Sequence, residues 1–293
     1  MAAPTVRIPE FRDDKAHAVP EAGPDELARF LREHPRCLMI SGAGCSTSSG
    51  IPAYRDQAGR WTRRTPIQYQ AFMAESAVRQ RYWARSYLGW PRIQSAQPNP
   101  SHRALADLEA LGRVSLLLTQ NVDGLHQRAG SRELLELHGG LDRVSCQGCG
   151  RGLSRALLQD QLQALNPYFQ AQVQGINPDG DADLAEPEPM GFQIPDCSAC
   201  GGVLKPDVVF FGENVPAARV ERAWKGLQQA DGVLVVGSSL VVFSAYRFVR
   251  EAARRGLPVV SINQGRTRAD PLLSFRLNMD AGQALTTTVD LLS

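Results

Sequence analysis

At 293 residues, 43% of them hydrophobic and 21% charged, the chain is long enough for one large core with a smaller module beside it. A net charge of +2 gives no electrostatic case for nucleic-acid binding. No apolar run approaches the ~20 residues of a membrane helix. Residues 1–20 carry Glu10, Asp13 and Asp14 but no apolar signal segment, so a cytoplasmic protein without membrane or nucleic-acid partners is expected.

After an N-terminal extension (1–24), Leu27, Phe30 and Leu31 recur at helical spacing and predict a helix over 25–34. A short apolar strand, Cys37-Leu38-Met39-Ile40, then runs into Gly42-Ala43-Gly44-Cys45-Ser46-Thr47-Ser48-Ser49-Gly50-Ile51-Pro52-Ala53-Tyr54-Arg55-Asp56. Gly42 and Gly44 permit a tight turn and close approach to a pyrophosphate, and the hydroxyls from Ser46 onward suit a helix start that binds anions. Position 47 is Thr, so the spacing is not a strict G-x-G-x-x-G, and an ordinary strand-to-helix turn has the same local pattern. Residues 57–95 are rich in Arg and aromatics, from Trp61 to Trp90, and helical in part. Helical patterns at 101–111, 216–229 and 244–255 alternate with continuous apolar runs at 114–118, 233–236 and 258–262. That alternation predicts a doubly wound, Rossmann-like parallel sheet with ligands at the carboxyl ends of its strands.

Polar segments follow these strands. Thr119-Gln120-Asn121-Val122-Asp123-Gly124-Leu125-His126 offers Gln120, Asn121 and Asp123 to a ribose and a carboxamide, although a capped helix start accounts for it equally well. Leu135-Glu136-Leu137-His138-Gly139 predicts a strand ending in His-Gly, where His138 can act as a general base near neutral pH. A lone histidine is more often structural, and His126 competes for the role; His17, His34 and His102 have no comparable setting. Gly237-Ser238-Ser239-Leu240 and Asn263-Gln264-Gly265 fall where the adenosine half of a dinucleotide would lie, with a plain turn as the competing explanation for each.

Four of the six cysteines form two C-x-x-C pairs, Cys146/Cys149 and Cys197/Cys200, flanked by glycines that permit knuckle turns. Four thiolates leave no open position, so they predict one structural Zn²⁺. Cys37 lies in a strand and Cys45 in the nucleotide loop. The expected organisation is a large domain over 25–56, 96–140 and 205–293. A small module combines helical 57–95 with zinc-binding 141–204. The acidic stretch from Asn177 to Met190, holding Asp179, Asp181, Asp183, Glu186 and Glu188, is expected to be a solvated loop.

Together, in this order, these segments closely resemble the sirtuins, from about residue 25 to the end. Arg79–Arg85, Gln97–His102, Leu204–Gly212 and the long insertion between the cysteine pairs are similar to class II, particularly the mitochondrial sirtuin-four type, in what is expected to be a bacterial member. The resemblance implies an NAD-dependent protein-lysine deacylase that transfers the acyl group to ADP-ribose and releases nicotinamide. It implies His138 as the catalytic base and Asn121 as a further catalytic residue, with Asn121, Gln120 and Asp123 around nicotinamide and its ribose. Gly42, Ala43, Gly44, Ser46, Tyr54 and Arg55 belong to the loop over that pocket. Gly237, Ser238, Ser239, Asn263, Gln264, Gly265 and Ala281 fall at the phosphates and adenosine, and Cys146, Cys149, Cys197 and Cys200 match zinc ligands. An acyl-lysine peptide would add as a strand between Phe211-Gly212-Glu213 and Ser239-Leu240-Val241.

Departures from the family pattern are Gly140 after His138-Gly139, Tyr54 for the commoner Phe, Ser238 for Thr, and Cys45 for a small apolar residue. Tyr82 and Arg85 have a spacing similar to the pair that reads acidic acyl groups in desuccinylating sirtuins. Against that stand an Arg85 paired with a structural acid and a Tyr82 packed among aromatics. The rival functions are a protein mono-ADP-ribosyltransferase, a catalytically idle NAD or ADP-ribose sensor and, more weakly, a dehydrogenase. The sequence leaves the oligomeric state open, a monomer included.

Overall fold

Runs of Leu, Ile and Val that are buried on both faces build the central sheet, and the helical patterns between them supply its two covering layers. The computed structural model describes residues 18–56, 60, 66–185 and 191–293. His17, Trp61, Glu186 and Glu188 lie outside the described residues.

Helix α1 (Pro24–Glu33) begins on Pro24, where a missing N–H is harmless, and buries Leu27, Ala28, Phe30 and Leu31. It leads into β1 (Cys37–Ser41), which is buried throughout. Then come α2 (Tyr69–Ala74), α3 (Ser76–Ser95), α4 (Pro100–Ala110), β2 (Val114–Thr119), α5 (Leu125–Ala129) and β3 (Leu134–Glu136). The next stretch holds β4 (Gly139–Cys146), β5 (Gly152–Ser154), α6 (Arg155–Leu165), β6 (Val173–Ile176), β7 (Ala182–Leu184) and β8 (Leu204–Val208). The chain ends with α7 (Ala217–Gln229), β9 (Gly232–Val236), α8 (Phe243–Arg254), β10 (Val259–Ile262), β11 (Phe275–Leu277) and α9 (Ala281–Leu292).

Six strands pair in the order β11-β10-β9-β1-β2-β3, every pair parallel. Alternate residues serve opposite cores. Met39 joins Leu27, Leu105 and Leu285 under α1, α4 and α9, while Leu38 and Ile40 join Leu227 and Phe248 under α7 and α8. The expected Rossmann-like sheet is present, and β11 and α9 extend it beyond what the apolar runs indicated. Strand order reverses between β1 and β9, so their carboxyl ends diverge and leave the crevice in which such sheets bind ligands.

A second, three-stranded sheet, β5-β4-β8, is antiparallel, and β8 pairs there rather than in the large sheet. Phe72, Tyr82 and Trp83 from α2 and α3 share a core with Val144, Leu158, Leu162, Phe192 and Leu204. The acidic stretch differs from its expected solvated form. Its described part lies in and around the β6–β7 hairpin, where Asp181 is 5% exposed and Ala182 and Leu184 are buried. Turn-forming residues put the backbone there, but docking on α3 buries it: Gly89 faces Gly180 so closely that a Cβ would lie 2.0 Å from the Gly180 carbonyl oxygen.

Candidate active site and zinc centre

The crevice holds a cavity of about 730 Å³, within the size range of small-molecule and cofactor sites. Its walls come from the loops after β1, β2, β9 and β10, as expected of a doubly wound sheet. Gly42, Ala43, Gly44, Ser46, Tyr54 and Arg55 line it from the β1 loop, and Gln120, Asn121 and Asp123 from the β2 loop. Gly237, Ser238 and Ser239 line it after β9, Asn263 and Gln264 after β10, and Ala281 at the start of α9. Gly265 lies behind this wall, where its N–H donates to Asn278 (3.2 Å) and its carbonyl accepts from the Asn263 side chain (3.3 Å).

The glycines interlock two loops. The Gly44 N–H donates to the Gly237 carbonyl at 2.8 Å. Gly237 has φ +58°, and a Cβ there would lie 2.4 Å from the Cys45 nitrogen. Backbone packing against backbone therefore requires Gly237 and Gly44, and it shapes the floor of the cavity.

Beside this floor, the side chains of Asn121, Ser46 and Asp123 order one another. The Asn121 amide donates to the Gly42 carbonyl and to Ser46 Oγ, both at 3.0 Å. Ser46 Oγ donates to Asp123 at 2.7 Å, and the Leu125 N–H donates to the other Asp123 oxygen at 2.9 Å. Burial raises the Asp123 pKa above the ordinary carboxylate value, and those two hydrogen bonds counter part of the rise. The Gln120 amide donates to Ser238 Oγ at 2.7 Å, tying the β2 loop to the β9 loop.

His138 sits in the turn between β3 and β4; the expected strand stops two residues earlier, at Glu136. Gly139 explains the turn: at φ +84° a Cβ would lie 1.8 Å from the Asp207 carbonyl oxygen, so only glycine lets β4 start beside β8. The ring Nδ1 lies 3.0 Å from the Gln120 carbonyl oxygen and must donate to it. Nε2 is thereby left with its lone pair, facing Ser244 Oγ at 2.7 Å. Burial pushes the His138 pKa down to about 4, so the imidazole is neutral at physiological pH, its basic nitrogen at the cavity wall. His126, the competitor, is 1% exposed and bonded to Ser41 Oγ at 2.8 Å, away from the cavity lining.

Tyr82, also in the cavity wall, is exposed by 4%, with its ring packed edge-on against Phe72 and Trp83. Tyr82 lines the cavity but Arg85 is not in its wall, and the inserted hairpin contributes Asp179 and Asp181 instead. Burial raises both carboxyls' pKa, and the Arg85 charge offsets part of each rise. Arg85 thus already faces acids of its own chain. These acids, Ser244 and the cavity-lining Phe243 escaped the sequence reading. Asn177-Pro-Asp-Gly-Asp carries only a turn signal, and Ser244 and Phe243 only a helix-start position.

The segments at 211–213 and 239–241 are each tied down by polar contacts. Lys205, 4% exposed, contacts Glu213 at 3.0 Å, and Glu213 accepts from the Phe210 N–H at 2.8 Å. Opposite, Leu240 holds φ +54°, which is uncommon for a branched residue, and its N–H donates to Ser238 Oγ at 3.2 Å.

The four paired cysteines converge at the end of β4. All their sulfur atoms lie within 4.8 Å of one another. Cys146 and Cys200 are 3.5 Å apart, and Cys149 and Cys197 3.8 Å, with none in a disulfide. A tetrahedral zinc with Zn–S bonds of about 2.3 Å needs sulfurs roughly 3.8 Å apart, so the residues fit a closed, four-thiolate structural site.

The pattern of a Sir2 family domain matches residues 42–244. An NAD-dependent protein deacetylase of Xanthomonas axonopodis pv. citri is 56% identical over 268 residues, covering 92% of each chain. The mitochondrial NAD-dependent protein lipoamidase sirtuin-4 of Bos taurus is 50% identical over 263 residues, 89% of this chain and 84% of the relative. Among solved structures, a complex described as Sir2-p53 peptide-NAD+ superposes with a TM-score of 0.75 at 27% identity, covering 92% of this chain and 98% of the other. The chain belongs to the Sir2 family.

Proposed function

We infer that the protein is an NAD-dependent protein-lysine deacylase that passes the acyl group of a modified lysine to ADP-ribose and releases nicotinamide. The observation that carries this reading is His138, neutral, with its basic Nε2 at the cavity wall next to Asn121 and Asp123. Its relatives are named as deacetylases and a lipoamidase, and the Sir2 structure it resembles holds peptide and NAD+.

NAD+ supplies an activated ribose carbon to which the acyl oxygen can bond. The chain's own residues do the rest. Gly42, Gly44, Gly237 and Ser238 form the floor on which the pyrophosphate would rest, and Asn263, Gln264 and Ala281 the adenosine end. Asn121 and Asp123 are held by Ser46 to face the nicotinamide ribose. His138 Nε2 exchanges its hydrogen bond from Ser244 for one from a ribose hydroxyl and takes that proton. Its lowered pKa keeps the base form available throughout the neutral range. Gly212 and Ser239 lie on the two edges between which the acyl-lysine peptide would add as a strand.

For the acyl end, Asp179 and Asp181 in the cavity wall and Arg85 behind it weigh against an acidic acyl group. A succinyl or glutaryl carboxylate would meet two acids of the protein, and the Arg85 charge already faces them. Neutral acyl groups fit this wall better. A cytoplasmic location accords with the bacterial relatives; among the described residues no helix is long and apolar enough to cross a membrane.

The test incubates acetyl-, longer acyl- and succinyl-lysine peptides with NAD+ and identifies products by mass. O-acyl-ADP-ribose supports the reading, whereas ADP-ribosylated protein without deacylation indicates the transferase instead. His138→Ala should reduce deacylation at least ~10²-fold with a smaller effect on NAD+ affinity. Unchanged turnover in that variant would remove His138 from the mechanism.

A further inference from the structure

Cys45 has no part in the chemistry above, yet its surroundings are built. Its side chain, 1% exposed, points from the β1 loop away from the cavity, towards His102 on α4 and His126 on α5, which are 0% and 1% exposed. The sulfur and one ring nitrogen from each histidine lie within 4.8 Å of one another, and the two rings are 4.8 Å apart centre to centre.

The hydrogen bonds define which lone pairs are available. Ser41 Oγ donates to Thr119 Oγ1 at 2.9 Å, so it can only accept from His126 Nε2 at 2.8 Å. That places the His126 proton on Nε2 and leaves Nδ1 a bare lone pair, buried and without a hydrogen-bond partner. His102 accepts the Asn99 N–H on Nδ1 at 3.3 Å and meets Ser46 Oγ through Nε2 at 3.4 Å, both long contacts that are cheap to exchange. A thiol and two neutral imidazoles, one with an unclaimed lone pair, are a soft donor set.

We propose that Cys45, His102 and His126 form a second metal site, selective for a thiophilic ion such as Zn²⁺, and that its occupancy inhibits the enzyme. Binding forms a metal–sulfur bond, and the thiol proton leaves to solvent. Zinc with Zn–N and Zn–S bonds of about 2.0–2.3 Å holds its ligand atoms roughly 3.3–3.7 Å apart, so atoms that lie up to 4.8 Å apart must draw together. The contraction acts directly on the cavity floor. Cys45 lies between Gly44 and Ser46, its carbonyl accepts from Asn99 at 2.8 Å, and His102 rests on Ser46. Ser46 in turn orders Asp123 and Asn121. Metal and NAD+ therefore compete through one loop, and linkage makes the effect reciprocal.

This site is separate from the four-cysteine centre, and metal counting reads it independently of activity. Protein carrying one zinc at the four-cysteine centre is dialysed against free Zn²⁺, with and without NAD+, and metal per chain is measured. Wild type should take up a second ion and lose activity, and NAD+ should raise the zinc concentration required. Cys45→Ala, which leaves the cavity wall untouched, should keep its basal activity and take up no second ion. Its half-inhibition should move to zinc concentrations at least ~10–100-fold higher, because losing a direct ligand costs no less than losing a group that supports one. Cys45→Val, which fills the same space, should behave alike. The proposal is overturned if wild type holds one ion at inhibitory zinc concentrations. Equal zinc sensitivity of both variants overturns it too, as does a second ion that leaves NAD+ affinity unchanged.

Discussion

Acidification should weaken the fold through its buried histidines. His102 and His126 are fully buried and neutral, with pKa values pushed down to about 4 and about 3, chiefly by burial. An unfolded histidine titrates near 6.5, so between about pH 6.5 and pH 4 the unfolded chain binds protons that the folded chain refuses. Stability then falls as pH drops. At pH 5 each histidine costs about 2 kcal/mol relative to pH 7.5, from 1.36 kcal/mol per pKa unit. The pair thus costs about 4 kcal/mol, out of a total domain stability on the order of 5–15 kcal/mol. His138, partly open to the cavity, adds at most a similar amount. Asp123, Asp179 and Asp181 oppose the trend, because carboxyls whose pKa is raised by burial relieve strain as they protonate. The assay is urea unfolding of wild type and His126→Gln at pH 7.5 and 5. Gln keeps a donor for Ser41 but cannot titrate, so the variant should lose about 2 kcal/mol less than wild type on acidification. Acid release of zinc cancels in that difference. Equal losses in the two proteins would refute the account of His126 as a buried neutral base.

Cys146→Ser should abolish zinc binding at the four-cysteine centre and leave an unstable protein, because an ion there would close the small module between β4 and β8; a folded variant with that centre empty, by circular dichroism and metal analysis, would contradict this. Gly89→Ala puts a methyl carbon 2.0 Å from the Gly180 carbonyl and must dislodge the inserted hairpin from α3. Acyl selectivity should then shift, read as the ratio of kcat/KM for acetyl- and succinyl-lysine peptides, while zinc content stays at one; an unchanged ratio would separate the hairpin from acyl choice.

Much of this molecule was legible before folding. Val233 to Val236 and Leu116 to Leu118 are continuous apolar runs because both faces of a parallel sheet are covered, and that signal needs no partner to be read. The glycine loop after β1 and the spacing within each C-x-x-C pair are equally local, since turn geometry depends on a few neighbouring residues, whereas the meeting of the two pairs across 48 and 54 residues is tertiary. Elements whose burial comes from distant packing were harder. Strand β11 has only Leu277 fully buried, and α9 offers a stripe interrupted by Thr286, Thr287 and Thr288.

Within the site, the sequence by itself offered His138 as a candidate base beside His126, amide and carboxylate groups after β2, and four cysteines at zinc-ligand spacing. Only the tertiary structure decided which atoms those groups meet. His138 finds Ser244 across 106 residues, and that contact, with the Gln120 carbonyl, determines which ring nitrogen is basic. The acidic hairpin turns from expected surface to cavity wall because Gly89 gives it room on α3. Cys45 meets two histidines because the starts of α4 and α5 converge beneath the loop after β1. Periodicity and turn chemistry are encoded along the chain, whereas hydrogen-bond partners and burial are set by which distant segments the packed core brings together.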